Sequence, residues 1–272
     1  MVGADESDVS RAAVHVARQW AEHAGARVSA VHVGPLRPAA TAAASAGAGV
    51  RRAWEAGSGD GIERWLAAES DREPTLPRPE LAYRYGITGI EIARFAEEAG
   101  AALLVVGRKP RSPGARLLVG DTADAVARRS LVPCLFVRGS FDLPVRMLVG
   151  LDGTDRGLGV LRRARAIADA IGAELEPVTV EPARRDEPAE LAASAPSARS
   201  LKLMEALRGT GAPLRVRRGD VVRELLAEAS AAHPTVLVVG YHRGGPPGVL
   251  EAGSVARRIA HHASCAVLTI PL

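Results

Sequence analysis

The residues Val236-Leu237-Val238-Val239-Gly240-Tyr241-His242-Arg243, followed after nine more by Gly253-Ser254, decide how this chain is read. A run of aliphatic residues closed by glycine reads as a short buried strand. A glycine-rich loop follows, and Gly-Ser opens a new helix. A helix N-terminus carries about half a positive charge and unpaired N–H groups, so a loop of this shape suits phosphate.

The same segment recurs 133 residues earlier: Gly107 matches Gly240, Pro113 matches Pro246, and Gly120 matches Gly253. This register runs without a gap from Gly86–Val137 onto Gly219–Ile270. A second register, offset by 147, pairs Val2-Gly3-Ala4-Asp5 with Val149-Gly150-Leu151-Asp152 and Val33 with Val180. The chain is therefore an internal duplication, with 14 extra residues inside its first half. A boundary between Gly139 and Pro144 gives units 1–140 and 141–272, and 272 residues suffice for two hydrophobic cores.

In the second copy Arg146–Leu151 reads as a buried strand. Leu158, Leu161, Ala164, Ile167, Ala168 and Ile171 recur at helical spacing up to Gly172, a C-terminal stop. Strands follow at Leu175–Val180, Leu214–Val216, Val236–Val239 and Val267–Ile270. Helices are expected near Leu201–Arg208, around Leu225, Leu226 and Ala229, and over Ser254–His262. The first copy keeps this order but carries a Gly34–Gly61 loop rich in Ala, Gly, Arg and Pro, with a short helix at Ile62–Ala68. Alternating strands and helices imply an open, doubly wound parallel α/β sheet, twice. Ligands of such sheets bind beyond the carboxyl ends of the strands, where the strand order reverses. Asp152 and Gly240 both end strands there.

Composition narrows the function. Hydrophobic residues at 47% and charged residues at 24% are ordinary for a globular protein, and no apolar run approaches the roughly 20 residues of a membrane span. The chain opens with Asp5, Glu6 and Asp8, unlike a signal peptide, so a cytoplasmic location is expected. The net charge of +4 is spread along helices among acids. Only three Trp, three Tyr and three Phe are available for base stacking, which argues against nucleic acid as a partner. Cys134 and Cys265 occupy non-equivalent repeat positions in apolar runs and belong to no metal-ligand cluster, so both read as buried, inert thiols.

The glycine loop, the strand-end aspartate and the element order together resemble the tandem universal stress proteins of the UspA family. Nucleotide-binding members of that family carry G-x2-G-x9-G-[S/T]. The resemblance covers nearly the whole chain. It implies two Rossmann-like domains, each a five-stranded parallel sheet of the HUP (adenine nucleotide alpha hydrolase-like) type, forming an intramolecular pseudo-dimer through the terminal strands Val132–Val137 and Cys265–Ile270. Further dimerisation stays open.

It also implies a regulatory protein of the stress response that binds ATP, with Mg2+ arriving only with the nucleotide. Asp152 and the backbone at Val180 would flank the adenosine, Gly240 would lie under the ribose and phosphates, and Gly253 with Ser254 would bind phosphate. Arg243 replaces the second glycine of the pattern. That removes backbone freedom and brings a guanidinium able to pair with phosphate, and whether it helps or blocks is left open.

The first copy departs further, with Asp5, Gly107, Pro110, Gly120, Asp121 and Thr122 at the matching positions. Pro110 has no N–H to donate. Asp121 stands where the other copy has Ser254, and a carboxylate about 4 Å from a phosphate costs on the order of 1 to 4 kcal/mol depending on the dielectric. Asp121 also reads as an N-cap, and Thr122 could supply the hydroxyl. Poor or absent ATP binding is expected of this half. The first strand, starting four residues before Asp5, is short enough to suggest a late start site or a truncation.

Two alternatives remain. One is a nucleotide-independent protein acting through protein contacts, which Arg243 and Asp121 make credible. The other is an enzyme, such as an adenylyl-transferring ligase. Asp5–Ser10 and Asp152–Gly157 contain no histidine of an HxGH motif, and no HExxH, GxSxG or GxxxxGK[ST] motif is present. His261 and His262 fall on different helix faces, and His242 reads as a solvated loop residue. No catalytic residue is assigned, and slow ATP hydrolysis is left open.

Overall fold

A computed structural model describes residues 1–35, 61–109, 122–181, 196–208, 210–233, 235–241 and 254–272. The chain divides into two compact units, Met1–Asp142 and Leu143–Leu272. The first runs β1 (Val2–Gly3), α1 (Asp8–His23), β2 (Ser29–Gly34), α2 (61–72), β3 (Glu80–Tyr85), α3 (Thr88–Glu98), β4 (Leu104–Gly107), α4 (Thr122–Arg129) and β5 (Cys134–Val137). The second runs β6 (Arg146–Leu151), α5 (Asp155–Ile171), β7 (Glu174–Glu181), α6 (Ala198–Ala206), β8 (Arg215–Arg218), α7 (Val221–Ala232), β9 (Val236–Tyr241), α8 (Ser254–His262) and β10 (Ala266–Pro271).

All the strand pairs within each unit are parallel. Their order is β3-β2-β1-β4-β5 in the first unit and β8-β7-β6-β9-β10 in the second. Each is the doubly wound α/β arrangement expected, with its switch point between the first and fourth strands. The central strands are apolar throughout because both of their faces are covered: Leu104, Val105 and Val106 are buried, as are Val236 to Val239. Cys134 lies in the first core with Ile92, Val106 and Phe136, whereas Cys265 is only half-buried, since it precedes β10 rather than lying within it.

The repeat is visible in local geometry. Ser7 caps α1 by accepting from Ser10 N, and its counterpart Thr154 caps α5 by accepting from Gly157 N. Gly86 and Gly219, with φ of 149° and 142°, turn the chain out of β3 and β8 in a conformation only glycine adopts readily. In both, the following glutamate, Glu91 or Glu224, lies directly against the glycine Cα.

Three elements differ from the sequence expectation for identifiable reasons. Helix α2 extends to residue 72, beyond Ala68, because Arg18 on α1 reaches its C-terminal end. The fully buried Arg18 guanidinium donates to the carbonyls of Glu69, Ser70, Glu73, Leu76 and Pro77, at 2.7 to 3.3 Å. It thereby satisfies carbonyls that a helix end leaves unpaired. Burial holds the Arg18 pKa below its ordinary value, opposed by Glu73. Strand β8 lies at Arg215–Arg218 rather than Leu214–Val216, because its arginines pair with Glu176, Glu228 and Glu181. Helix α6 spans Ala198–Ala206 rather than Leu201–Arg208, starting early on the Ser197 cap.

Candidate functional site

The strands of each unit end at different heights, and this stagger makes the crevice. In the second unit β6 is paired with β7 only as far as Leu151–Thr179 and with β9 only as far as Val149–Val238. Val180 and Gly240 therefore project past the last β6 partner on either side, and Asp152 follows directly where β6 stops. The structure brings these three predicted residues around one strand end. Val180 is still paired with Arg217 of β8, so its main chain is committed on that side only.

Asp152 is exposed, and its Oδ1 accepts from Thr154 N at 3.0 Å and from the Thr154 hydroxyl at 2.7 Å. Asp5 repeats this: its Oδ1 accepts from Ser7 N at 2.9 Å and from the Ser7 hydroxyl. Its own N–H donates to Ser10 Oγ at 2.9 Å. The second copy has Gly157 in place of Ser10, and a Cβ there would lie 2.3 Å from Asp152 Oδ1. The aspartates are thus oriented by the start of the following helix, each through one carboxylate oxygen.

The two fourth-strand glycines have a packing reason. A Cβ on Gly107 would sit 2.4 Å from Val9 O and 3.0 Å from Ser10 N, the main chain of α1. One on Gly240 would meet Val160 Cγ2 at 2.8 Å and Leu272 Cδ1 at 2.9 Å. These glycines let the helix after the first strand approach the sheet, a role distinct from cradling an anion.

Arg243, Gly253, Pro110, Gly120 and Asp121, with the loop histidine His242, lie outside the described residues. Ser254 is the first described residue of α8, and Thr122, one past the matching Asp121, the first described residue of α4. In the first unit Asp5, Gly107 and Thr122 are gathered around a cleft of about 410 Å³. Val31, Val33, Ile92 and Val106 supply apolar wall, and His32, Thr88 and Lys109 add polar groups. That volume lies within the range of small-molecule sites.

Sequence reasoning did not find the residues that fix α6 beside the second crevice. Glu181, one residue past Val180, accepts at Oε1 from Ser197 N at 3.0 Å and from Ser200 Oγ at 2.5 Å, and its Oε2 lies 3.4 Å from Arg218. Burial alone would raise its pKa, but the hydrogen bonds from Ser197 and Ser200 and the Arg218 charge prevail and lower it to about 2. Arg199 of α6 presses on Gly153, where a Cβ would lie 2.8 Å from Arg199 O. Lys202 reaches Asp155 at 2.6 Å. The segment before α6 shows no pattern that would announce these contacts.

Among the described residues no group of three or more His, Cys, Asp or Glu side chains is placed to hold a metal ion, and no helix is long and apolar enough to cross a membrane. The family model described as the universal stress protein family matches twice, over residues 1–138 and 145–271. The chain belongs to the universal stress protein family. No curated protein matches it. Among solved structures, a universal stress protein from Archaeoglobus fulgidus DSM 4304 is 16% identical with a TM-score of 0.70, covering 100% of this chain and 97% of its own. A putative universal stress protein from Pseudomonas aeruginosa UCBPP-PA14 is 15% identical with a TM-score of 0.64, covering 99% and 91%. At these identities the likeness concerns the fold.

Proposed function

We propose that this universal stress protein is a regulatory protein that binds an adenine nucleotide, with ATP as the ligand, at the carboxyl ends of its strands. The observation that carries the reading is the stagger around the first strand of each unit, which leaves an oriented, exposed aspartate at the bottom of a crevice. In the first unit that crevice is a cleft with apolar walls and a polar rim. An apolar wall suits a flat base, and a helix starting at Ser254 suits a phosphate. Occupancy would be transmitted through whatever the crevice touches, and α6 is hydrogen-bonded to its wall.

One observation favours the alternative of a protein acting through contacts alone. Gly107 and Gly240 are explained by helix packing without any ligand. Isothermal titration of the full chain with ATP and Mg2+ separates the two. Saturable heat supports nucleotide binding, and the lack of any binding at millimolar ATP overturns it. The Ser254→Asp variant is the second arm: it should abolish binding at the second unit with the fold intact. Product analysis of the same mixture reports whether ATP is consumed.

A further inference from the structure

Where the chain leaves the first unit it is fastened to α1. Asp142 is the last residue of that unit. Its Oδ1 lies 2.9 Å from His15 Nε2 and accepts from Gln19 Nε2 at 2.8 Å. The ring of the preceding Phe141 meets the buried Trp20 edge-on, with centroids 6.5 Å apart. His15, Gln19 and Trp20 all belong to α1, and the second copy has Arg162, Ala166 and Ile167 at the matching places. The fastening is thus particular to the first copy and not a legacy of the repeated fold.

The His15 ring has a second carboxylate on its other side. Its Nδ1 lies 2.8 Å from Oε2 of Glu73, directly after α2, and that oxygen is also 3.9 Å from Arg18 Nη1. An ionised carboxylate only accepts, so a ring between two of them donates from both nitrogens and is the imidazolium. The hydrogen bonds from His15 and then from Gln19 hold the Asp142 carboxyl below its usual value, against slight desolvation. The other charges around the ring have partners of their own. Arg11 pairs with Asp8 and Glu69, and Arg72 with Glu69. The Arg18 guanidinium is taken up by main-chain carbonyls, and Arg78 pairs with Asp71. Arg138, on the same cleft as His15, adds positive charge but no acceptor.

We propose that His15 is a pH-sensitive latch for the segment 139–142. Its imidazolium bridges Glu73 to Asp142 and holds the exit of the chain against α1, and loss of one ring proton releases it. A histidine ring ordinarily changes charge between about pH 5 and 8. The latch is complete at the acid end of that range, where both nitrogens carry protons, and fails as the pH rises and His15 loses one. The neutral ring keeps a single N–H for two carboxylates, and it loses the charge assistance that roughly doubles the strength of such a bond. Glu73 stays in place, because Arg18 holds its carbonyl and flanks its carboxylate. The partner able to withdraw is Asp142, whose side chain is 75% exposed. The inference is independent of what the crevices bind.

The test follows amide order parameters and histidine side-chain nitrogen spectra of the full chain from about pH 5 to 8. At the acid end both His15 nitrogens should be protonated and the amides of Phe141 and Asp142 rigid, with order parameters of about 0.85. These should fall below about 0.6 in step with the loss of the His15 proton. His15→Gln cannot become a cation, so its amides at 141 and 142 should show no pH dependence. Asp142→Asn should abolish the dependence as well, since an amide accepts from the imidazolium and donates to the neutral ring alike. A ring with a single proton at the acid end, amides equally ordered across the range, or a pH dependence that survives in either variant overturns the inference.

Discussion

Gly107 and Gly240 occupy the same place in the two copies, yet alanine should be tolerated at only one of them. At Gly107 the new methyl would fall 2.4 Å from Val9 O and 2.6 Å from Val9 C. Ordinary contact begins near 3.4 Å, so the first turn of α1 would have to retreat by about 1 Å, and main chain held by its own helix bonds yields poorly. Overpacking of this kind costs about 1 to 3 kcal/mol, and a backbone clash belongs at the upper end. Removing a strand glycine returns about 0.5 to 1 kcal/mol, which leaves a net loss of roughly 2 kcal/mol. At Gly240 the obstructing atoms are the ends of Val160 and Leu272, which can rotate away, so Gly240→Ala should lose about 1 kcal/mol or less. The three tryptophans, Trp20, Trp54 and Trp65, all lie in the first half, so fluorescence-detected urea unfolding reports that unit. Gly107→Ala should lower that midpoint by about 1 M, taking a slope near 2 kcal/mol/M. An unchanged midpoint with impaired ligand binding would refute the packing account and restore the glycine to phosphate recognition.

Three further changes probe the framework. Arg18→Met removes the donor to five main-chain carbonyls and should destabilise the first unit by about 3 to 5 kcal/mol in the same fluorescence assay, with Arg18→Lys intermediate because three donors cannot replace the fork. Glu181 has its pKa lowered from 4.5 to about 2, so it contributes stability that is present above pH 4.5 and is lost as the pH falls through 2. Glu181→Gln should therefore destabilise the second unit at neutral pH by up to about 3 kcal/mol, and the difference should vanish near pH 2 in circular-dichroism unfolding curves. Thr154→Ala deletes the α5 cap and one bond to Asp152, for a loss of about 1 kcal/mol by urea denaturation followed by circular dichroism.

Most of the fold was legible because buried parallel strands announce themselves. Arg146–Leu151 and Val236–Val239 could be read directly, since both faces of those strands are covered and no polar residue interrupts them. Strand β8 was shifted because an Arg-Val-Arg-Arg edge strand has neither an apolar run nor alternation. Its partners Glu176, Glu181 and Glu228 are 11 to 39 residues away in sequence. The end of α2 was missed for the same reason, since Arg18 looks like any helix surface arginine until α1 and α2 are brought together. In the site, the packing of Gly107 and Gly240 against the helix after the first strand could not be read from the glycine spacing, since only the fold brings that helix there.

The two copies diverge most in how they hold the helix that connects their second and third strands. Both helices begin near the crevice: residue 61 lies against Glu6, and α6 opens on Ser197 beside Glu181. The first helix is secured at its far end by a guanidinium that is sealed from solvent and saturated with carbonyl partners. The second is secured at its near end by a carboxylate one residue beyond Val180. A ligand against the Val180 main chain would meet a wall that is hydrogen-bonded to α6, whereas α2 is held near its start by Tyr83, which donates to Glu63 Oε1 at 3.1 Å, and at its far end by Arg18. The strands, caps and turn glycines are otherwise matched, so the copies differ in where each crossover helix is most heavily fastened. On the proposed nucleotide reading, a ligand at Val180 would therefore be felt by α6 through Glu181.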